Sequence, residues 1–305
     1  MPKLNRLSSI GTPDRETSVA PLADPAPSGN AQIGAIMIDL GVIRLEQAER
    51  VLEMQRERGG RFGDVAVSLG FSTRPQLDMA LAVQRGAPVL LPDDRRQMGA
   101  ALRAVIDDVA LSRAYTDART QLELRWFGDD PERTALAVLG DAPGDGRTLA
   151  TATLGLLLAM TGRRVLLIDT CIDAPRLAEV VGGIRPALGL ADALARPESA
   201  LRLPSSFESV ELSVLAPIGA GLGADASASR GFASMLATLV LGWDAILVDT
   251  PALSLDRRAL SVAVRCSGAL VVARVGRTRM ARMEELRRLL ADSGVEAVGV
   301  LANRF

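Results

Sequence analysis

The residues whose types and spacing could do chemistry sit in one short stretch, Gly140-Asp141-Ala142-Pro143-Gly144-Asp145-Gly146-Arg147-Thr148. An apolar run of strand type precedes it and a long Ala/Leu-rich segment follows. Strand, glycine-rich turn and helix in that order make an anion cradle. Backbone N–H groups of the turn and the positive end of the helix dipole converge on a phosphate. Here Gly144, Asp145, Gly146, Arg147 and Thr148 would line it. Against G-x-x-x-x-G-K-[ST], Asp141 takes the first position and Arg147 the lysine position. Two further carboxylates, Asp169 and Asp249, each close an apolar run, Val165-Leu166-Leu167-Ile168-Asp169 and Ala245-Ile246-Leu247-Val248-Asp249. An Asp at a strand end beside a phosphate loop can hold Mg²⁺ and its water shell. It can also simply cap a helix. Two such residues with the loop favour the nucleotide site.

The elements that must position these groups are legible from residue 134 onward. Unalternating apolar runs at 135–139, 165–169, 212–216, 245–249, 269–273 and 297–301 read as strands. Helical stretches lie near 148–160, 231–241, 257–264 and 279–290. This alternation predicts an α/β fold with a doubly wound, mainly parallel sheet covered on both faces. Its ligand belongs at the carboxyl ends of the strands.

Composition narrows the chemistry further. The chain has 305 residues, 48% of them hydrophobic and 23% charged, as expected of a globular protein with room for a large core. Its formal net charge of −1 gives no global field for a nucleic acid polymer. There is no histidine, which excludes Ser-His-Asp catalysis and every His-containing metal site. The two cysteines, Cys171 and Cys266, read as buried reduced thiols. The longest apolar helical run, 149–160, falls far short of the ~20 residues of a membrane span. Residues 1–30, rich in Ser, Pro, Ala and Asp, read as a disordered arm without a signal core.

Residues 31–86 hold an internal repeat. Gly34, Gly41, Leu52 and Gln55 recur as Gly63, Gly70, Leu81 and Gln84, and 34 to 63 fixes the period at 29 residues. Each copy reads as a short helix, a turn at the second glycine and a longer helix. The pattern resembles the tandem R-L-G-x-x-L-V-x-x-G-x6-L-x3-L-x2-Q motif of type II secretion and pilus ATPases, which binds cyclic di-GMP. The resemblance implies a site at Gln32, Gly34, Gly41, Gln55, Arg61, Gly63, Gly70 and Gln84. Gln32 stands where the first Arg belongs, Phe62 replaces Leu, and Ala48 and Ala66 occupy Leu positions. A helical docking module that binds no nucleotide is the other reading. Residues 87–132 then read as a connector with a loop at 88–94 and helical periodicity from Met98 to Phe127. Its apolar positions would be Val105, Val109, Leu122 and Trp126. Tyr115, the only tyrosine, is expected to be a partly exposed helical residue.

Residues 133–305 would form the α/β domain, and four motifs there carry a second resemblance. Gly144-Asp145-Gly146-Arg147-Thr148, Leu166-Leu167-Ile168-Asp169, Trp243-Asp244-Ala245-Ile246-Leu247-Val248-Asp249-Thr250-Pro251 and Asn303-Arg304-Phe305 resemble bacterial tyrosine kinases of capsule and exopolysaccharide synthesis. These are deviant P-loop proteins related to the MinD/ParA ATPases. The exopolysaccharide chain-length-determinant branch, which also carries a duplicated N-terminal module and Arg at the Walker A lysine position, is the nearest match. With the repeat, the likeness covers residues 32–305. It implies ATP in the loop, with Mg²⁺ held by Thr148, Asp169 and Asp249. Asp169 and Asp249 would be the catalytic carboxylates. It also implies a membrane-embedded chain-length-determinant protein whose cytosolic tail is the partner, a homo-oligomer, and a place in the cytoplasm at the inner face of the plasma membrane.

The departures bear on the chemistry. The Walker A′ pattern Asp-x-Asp-x-Arg reads Asp169-Thr170-Cys171-Ile172-Asp173, with a thiol for a carboxylate and a carboxylate for an arginine. A neutral thiol is a poor ligand for a hard cation and cannot stand in for a carboxylate base. Thr153 takes a position usually held by Asn. The ring-forming Glu-x2-Arg-x2-Arg motif appears as Arg113-x2-Thr116-x2-Arg119, and the C-terminal tyrosine cluster is missing. Three functions follow: a regulator of exopolysaccharide chain length or export with impaired phosphotransfer (a pseudokinase), an active tyrosine autokinase, or a cyclic-di-GMP-responsive adaptor. The Cys171 and Asp173 exchanges favour the first. A ParA/MinD-type positioning ATPase fits the motifs less well.

Overall fold

The computed structural model describes residues 33–84, 90–128, 130, 133–183, 186, 188–218, 226 and 229–304. The arm at 1–30 and Gln32 therefore lie outside the described residues. Six strands form a single parallel sheet: β1 (Ala135–Leu139), β2 (Val165–Asp169), β3 (Leu212–Leu215), β4 (Ala245–Asp249), β5 (Gly268–Arg274) and β6 (Glu296–Asn303). Their order is β3-β2-β4-β1-β5-β6. The chain winds outward from β1 to one side through β2 and β3, returns at β4, and continues to the other side through β5 and β6. The winding reverses at the carboxyl end of β1, where a ligand crevice is expected in a doubly wound sheet. Every residue of β1, β2 and β4 is buried, which is why these strands read as unbroken apolar runs.

Four short helices fold the repeat: α1 (Ile33–Asp39), α2 (Leu45–Arg58), α3 (Phe62–Ser68) and α4 (Arg74–Gln84). They enclose their own core around Met37, Val51, Ala66 and Ala80. The copies interlock, α1 packing on α4 and α2 on α3. Gly41 and Gly70, at φ +65° and +71°, end the first helix of each copy in the left-handed region. The same backbone bonds recur after them, Val42 N–H to Met37 O and Phe71 N–H to Ala66 O.

The connector differs from its expected form. It contains three helices, α5 (Pro92–Gln97), α6 (Ala100–Asp107) and α7 (Val109–Arg125). The periodic run breaks at Asp108, whose carboxylate caps α7 by accepting from Leu111 N–H at 2.9 Å. That break shifts the register, so Val109 is 84% exposed rather than part of the apolar face. Tyr115 is 5% exposed, not partly exposed, and sits in the core with Leu122, Trp126 and Phe127. Asp94, expected in a loop, is a buried residue of α5 that accepts from the N–H groups of Glu208 and Ser209 and from the Ser209 hydroxyl.

These helices share one face of the sheet with α8 (Arg147–Ala159) and α9 (Leu177–Val181). The other face carries α10 (Leu190–Ala195), α11 (Arg230–Leu239), α12 (Arg258–Cys266) and α13 (Met280–Asp292). Helix α8 is buried on all sides from Ala150 to Ala159 because α6 and α7 cover the side turned away from the sheet. From Ala150 on, its Ala/Leu-rich sequence, with Thr151 and Thr153 bonded back to the helix backbone, is that of a sandwiched core helix.

Candidate nucleotide-binding site

The loop that joins β1 to α8 is held open by two glycines. Gly144 and Gly146 have φ of +81° and +96°, a region that side chains other than glycine's rarely enter. At Gly146 a methyl group would also overlap the Asn303 amide. That amide donates to Asp145 O at 3.0 Å, so the end of β6 braces the loop from below. The segment after β4 braces it from the other side, with Leu253 N–H to Gly140 O at 3.1 Å and Ser254 N–H to Asp141 O at 3.0 Å. Asp145 is fully buried. Its Oδ2 accepts from Ala142 N–H at 2.8 Å and closes the turn on itself. Oδ1 has no partner among the described residues.

Arg147 is tethered by the backbone. Its Nε donates to Thr250 O at 3.0 Å and its Nη1 to Ala142 O at 2.8 Å, which ties β1's loop to the end of β4. Thr148 donates its hydroxyl to Asp249 Oδ2 at 2.7 Å. Asp249 is 1% exposed, and its second oxygen has no partner among the described residues. Burial and the neighbouring Asp169 charge push its carboxyl up to about 7, against the opposing effects of the Thr148 hydroxyl and Arg147. Asp169 takes the anchoring role that the sequence allows. Its carboxylate accepts from the N–H groups of Cys171, Arg176 and Leu177 at 2.9, 3.1 and 3.0 Å, anchoring the start of α9. Burial still holds its pKa above the ordinary carboxylate value.

Cys171 completes the cluster. Ligand atoms of Asp169, Cys171 and Asp249 all lie within 4.8 Å of one another. Burial and then the two carboxylate charges push the thiol well above its ordinary range, so it is neutral and protonated. The donor set divides accordingly. Thr148, Asp169 and Asp249 offer hard oxygens, and the orphaned Asp249 oxygen is the kind of buried acceptor that a hydrated Mg²⁺ satisfies. The thiol does not fit that ion. A cleft of about 380 Å³ opens over the cluster, with Gly144, Thr148, Cys171, Asp173 and Leu255 in its walls.

The structure thus brings Gly144 through Thr148, Asp169 and Asp249 to one place. The described residues named for cyclic di-GMP lie in the repeat, apart from this site. Gly34 lies under the Phe62 ring, 2.9 Å from where its Cβ would be, and Gly63 lies against Leu77. Gln55 donates to Gly60 O at 2.9 Å, while Arg61 is exposed. Sequence reasoning missed Asn303, Thr250 and Arg282 as supports of the loop. Thr250 donates its hydroxyl to Val138 O at 2.8 Å, and Arg282 pairs with Asp141 at 2.8 Å. The position of Thr250 directly after Asp249 and that of Asn303 in the terminal Asn-Arg-Phe were the available signals.

No protein-family profile matches the chain. Among curated proteins it is 26% identical over 209 residues to EpsB of Ralstonia nicotianae and 26% identical over 219 residues to the succinoglycan biosynthesis transport protein ExoP of Rhizobium meliloti. These matches cover 66% and 70% of this chain but only 26% and 27% of the relatives, so the chain spans about a quarter of their length. The tyrosine-protein kinase YwqD of Bacillus subtilis is 22% identical over 63% of this chain and 80% of its own. Of the solved structures, the chimerical protein CapA2B2 superposes with a TM-score of 0.55 at 20% identity, over 74% of this chain and 97% of that one. The BceF tyrosine kinase domain gives 0.54 at 21%, over 76% and 89%. At these identities the structural likeness shows the fold, which is that of bacterial tyrosine kinase domains. The resemblance to exopolysaccharide tyrosine kinases carried by the motifs is borne out. The reading of the repeat as a cyclic di-GMP module gains nothing from these relatives.

Proposed function

We propose that the chain is a tyrosine-kinase-like P-loop protein that binds ATP with Mg²⁺, transfers phosphate poorly, and regulates exopolysaccharide chain length or export. The observation that carries this reading is the neutral Cys171 thiol set between two buried carboxylates. Backbone N–H groups from Gly144 to Thr148 bind the phosphates. The Thr148 hydroxyl and the Asp249 and Asp169 carboxylates would hold the metal, which when bound neutralises developing phosphate charge. With Asp249 given to the metal, what is missing is a carboxylate at position 171 to accept the tyrosyl proton. Asp169 is already bonded to three backbone N–H groups, and a protonated thiol has no basicity to offer. Asp173, exposed at the rim, adds negative charge where an attacking phenol and a polyphosphate must meet.

Tyr115, the one tyrosine of the sequence, is 5% exposed in the core and is no phosphoacceptor in the folded state. A membrane-embedded chain-length-determinant protein is the proposed partner, in keeping with the transport role in ExoP's name. For the repeat, the packing of Gly34 and Gly63 supports a docking module over a cyclic di-GMP site. Calorimetry with cyclic di-GMP decides that point, and saturable heat in the low micromolar range would reverse it.

Equilibrium binding of ATP tests the main reading. The expected result is saturable binding strengthened by Mg²⁺, with the Mg²⁺ dependence lost in Asp249→Ala. Absence of binding at millimolar ATP would overturn it.

A further inference from the structure

The loop is rich in negative charge for an anion cradle. Its one cation, Arg147, is held by backbone carbonyls at Nε and Nη1. The loop itself contributes two carboxylates, Asp141 and Asp145, and the metal cluster two more. A nucleotide polyphosphate in this cradle needs positive charge from outside the loop.

The turn between β5 and α13 supplies it. Arg274 Nη1 lies 3.4 Å from Gly144 O. A Cβ placed on Gly144 would be 3.4 Å from Arg277 Nη1 and 3.9 Å from Arg274 Nη1, so both guanidinium groups stand over the exposed apex of the loop. The turn that presents them is closed by its own bonds. The Thr278 hydroxyl accepts from Arg274 N–H at 3.0 Å, the N–H groups of Arg277 and Thr278 donate to Arg274 O, and Gly276 takes φ +78°. Val275 N–H donates to Asn303 O at 2.7 Å, fixing the turn to the strand whose amide also braces the loop. Neither Arg274 nor Arg277 has an acidic partner among the described residues. Asp141 of the loop is paired with Arg282.

We propose that Arg277 and Arg274 add the positive charge that binds the nucleotide's phosphates, beyond what Arg147 supplies. This rests on the nucleotide-binding reading above. Guanidinium groups on an ordered turn suit phosphate oxygens because their planar fork is pre-organised.

The test is binding of ADP, followed by calorimetry at two salt concentrations, to the wild-type chain and to Arg277→Gln, Arg274→Gln and Arg56→Gln. Arg56 is an exposed arginine of α2 and controls for net charge. Loss of a charge-assisted hydrogen bond predicts roughly tenfold weaker ADP binding for each of the first two variants. Their affinities should also fall less steeply with salt, while Arg56→Gln and wild type agree. Adenosine, which has no phosphate, should bind all four proteins alike. If wild type binds ADP and Arg277→Gln and Arg274→Gln bind it within twofold of wild type, the proposal is wrong and the nucleotide site stands. Equal weakening by Arg56→Gln would reduce the effect to net charge and also overturn it. If wild type binds no ADP, both the proposal and the reading beneath it fall.

Discussion

Asp249 is the residue through which the site can be read most simply. Its carboxyl sits near 7 in the folded protein and near 4 in an unfolded chain. Between those values the folded state holds more protons than the unfolded one. Asp249's contribution to the stability of the nucleotide-free protein is therefore highest at the acid end of that window and falls as pH rises from about 4 to about 7. Asp249→Asn keeps an oxygen for the Thr148 hydroxyl and removes the buried charge. It should raise stability at pH 8 by on the order of 1–2 kcal/mol and flatten the pH profile of the thermal midpoint. A midpoint that is unchanged at pH 8 would show that Asp249 carries no strain there. Gly146→Ala is the opposite case. It forces a side chain to φ +96° against the Asn303 amide. A stability loss of about 2 kcal/mol or more is expected in a denaturant melt, together with loss of ATP binding. Individual residues at strand ends were legible in the sequence because Asp169 and Asp249 close unbroken apolar runs. Their actual bonds were not. That Asp169 would both anchor α9 and face the metal position depends on a short helix, Leu177–Val181, too brief to leave a periodic signal.

At the scale of elements, the sheet was the readable part and the connector the misread one. Buried parallel strands have only apolar residues, so composition alone locates them. Helix α6 is amphipathic and α7 barely so, and nothing in their sequence says that the face they bury lies on α8. The clue was on α8 itself, whose run from Ala150 to Ala159 has no polar face to offer solvent. Trp126, at the end of α7, donates its indole N–H to Ala135 O at 3.1 Å and lies against Gly268 of β5. It therefore locks the connector to two strands at once. Trp126→Ala should cost about 3–5 kcal/mol in a denaturant titration, as truncation of a buried aromatic does. A loss under 1 kcal/mol would mean that α7 is a peripheral attachment.

For the molecule as a whole, the connector belongs with the α/β domain as one core, whereas the repeat encloses a core of its own. A chain truncated to begin at Leu90 should fold and bind ATP, and one truncated to begin at Arg133 should not fold, because α8 would face water along its whole outer side. Circular dichroism melts of the two truncations check this, and a cooperative melt from the shorter one would refute it. The overall architecture followed from the order of strands and helices, and the comparison with tyrosine kinase domains agrees with it. What the sequence could not supply was the balance of charge around the loop, since Arg147, Arg274, Arg277, Asn303 and Thr250 meet only in the folded chain. The central claim is that this site holds a nucleotide but lacks the base to use it. It is tested most directly by phosphotransfer from labelled ATP to a tyrosine-containing polymer, comparing wild type with Cys171→Asp at saturating ATP and Mg²⁺. The account predicts background transfer by wild type and a gain of at least about tenfold in the variant, within the range a positioned base contributes. Robust transfer by wild type that is abolished in Asp249→Ala, with no gain from Cys171→Asp, would contradict it.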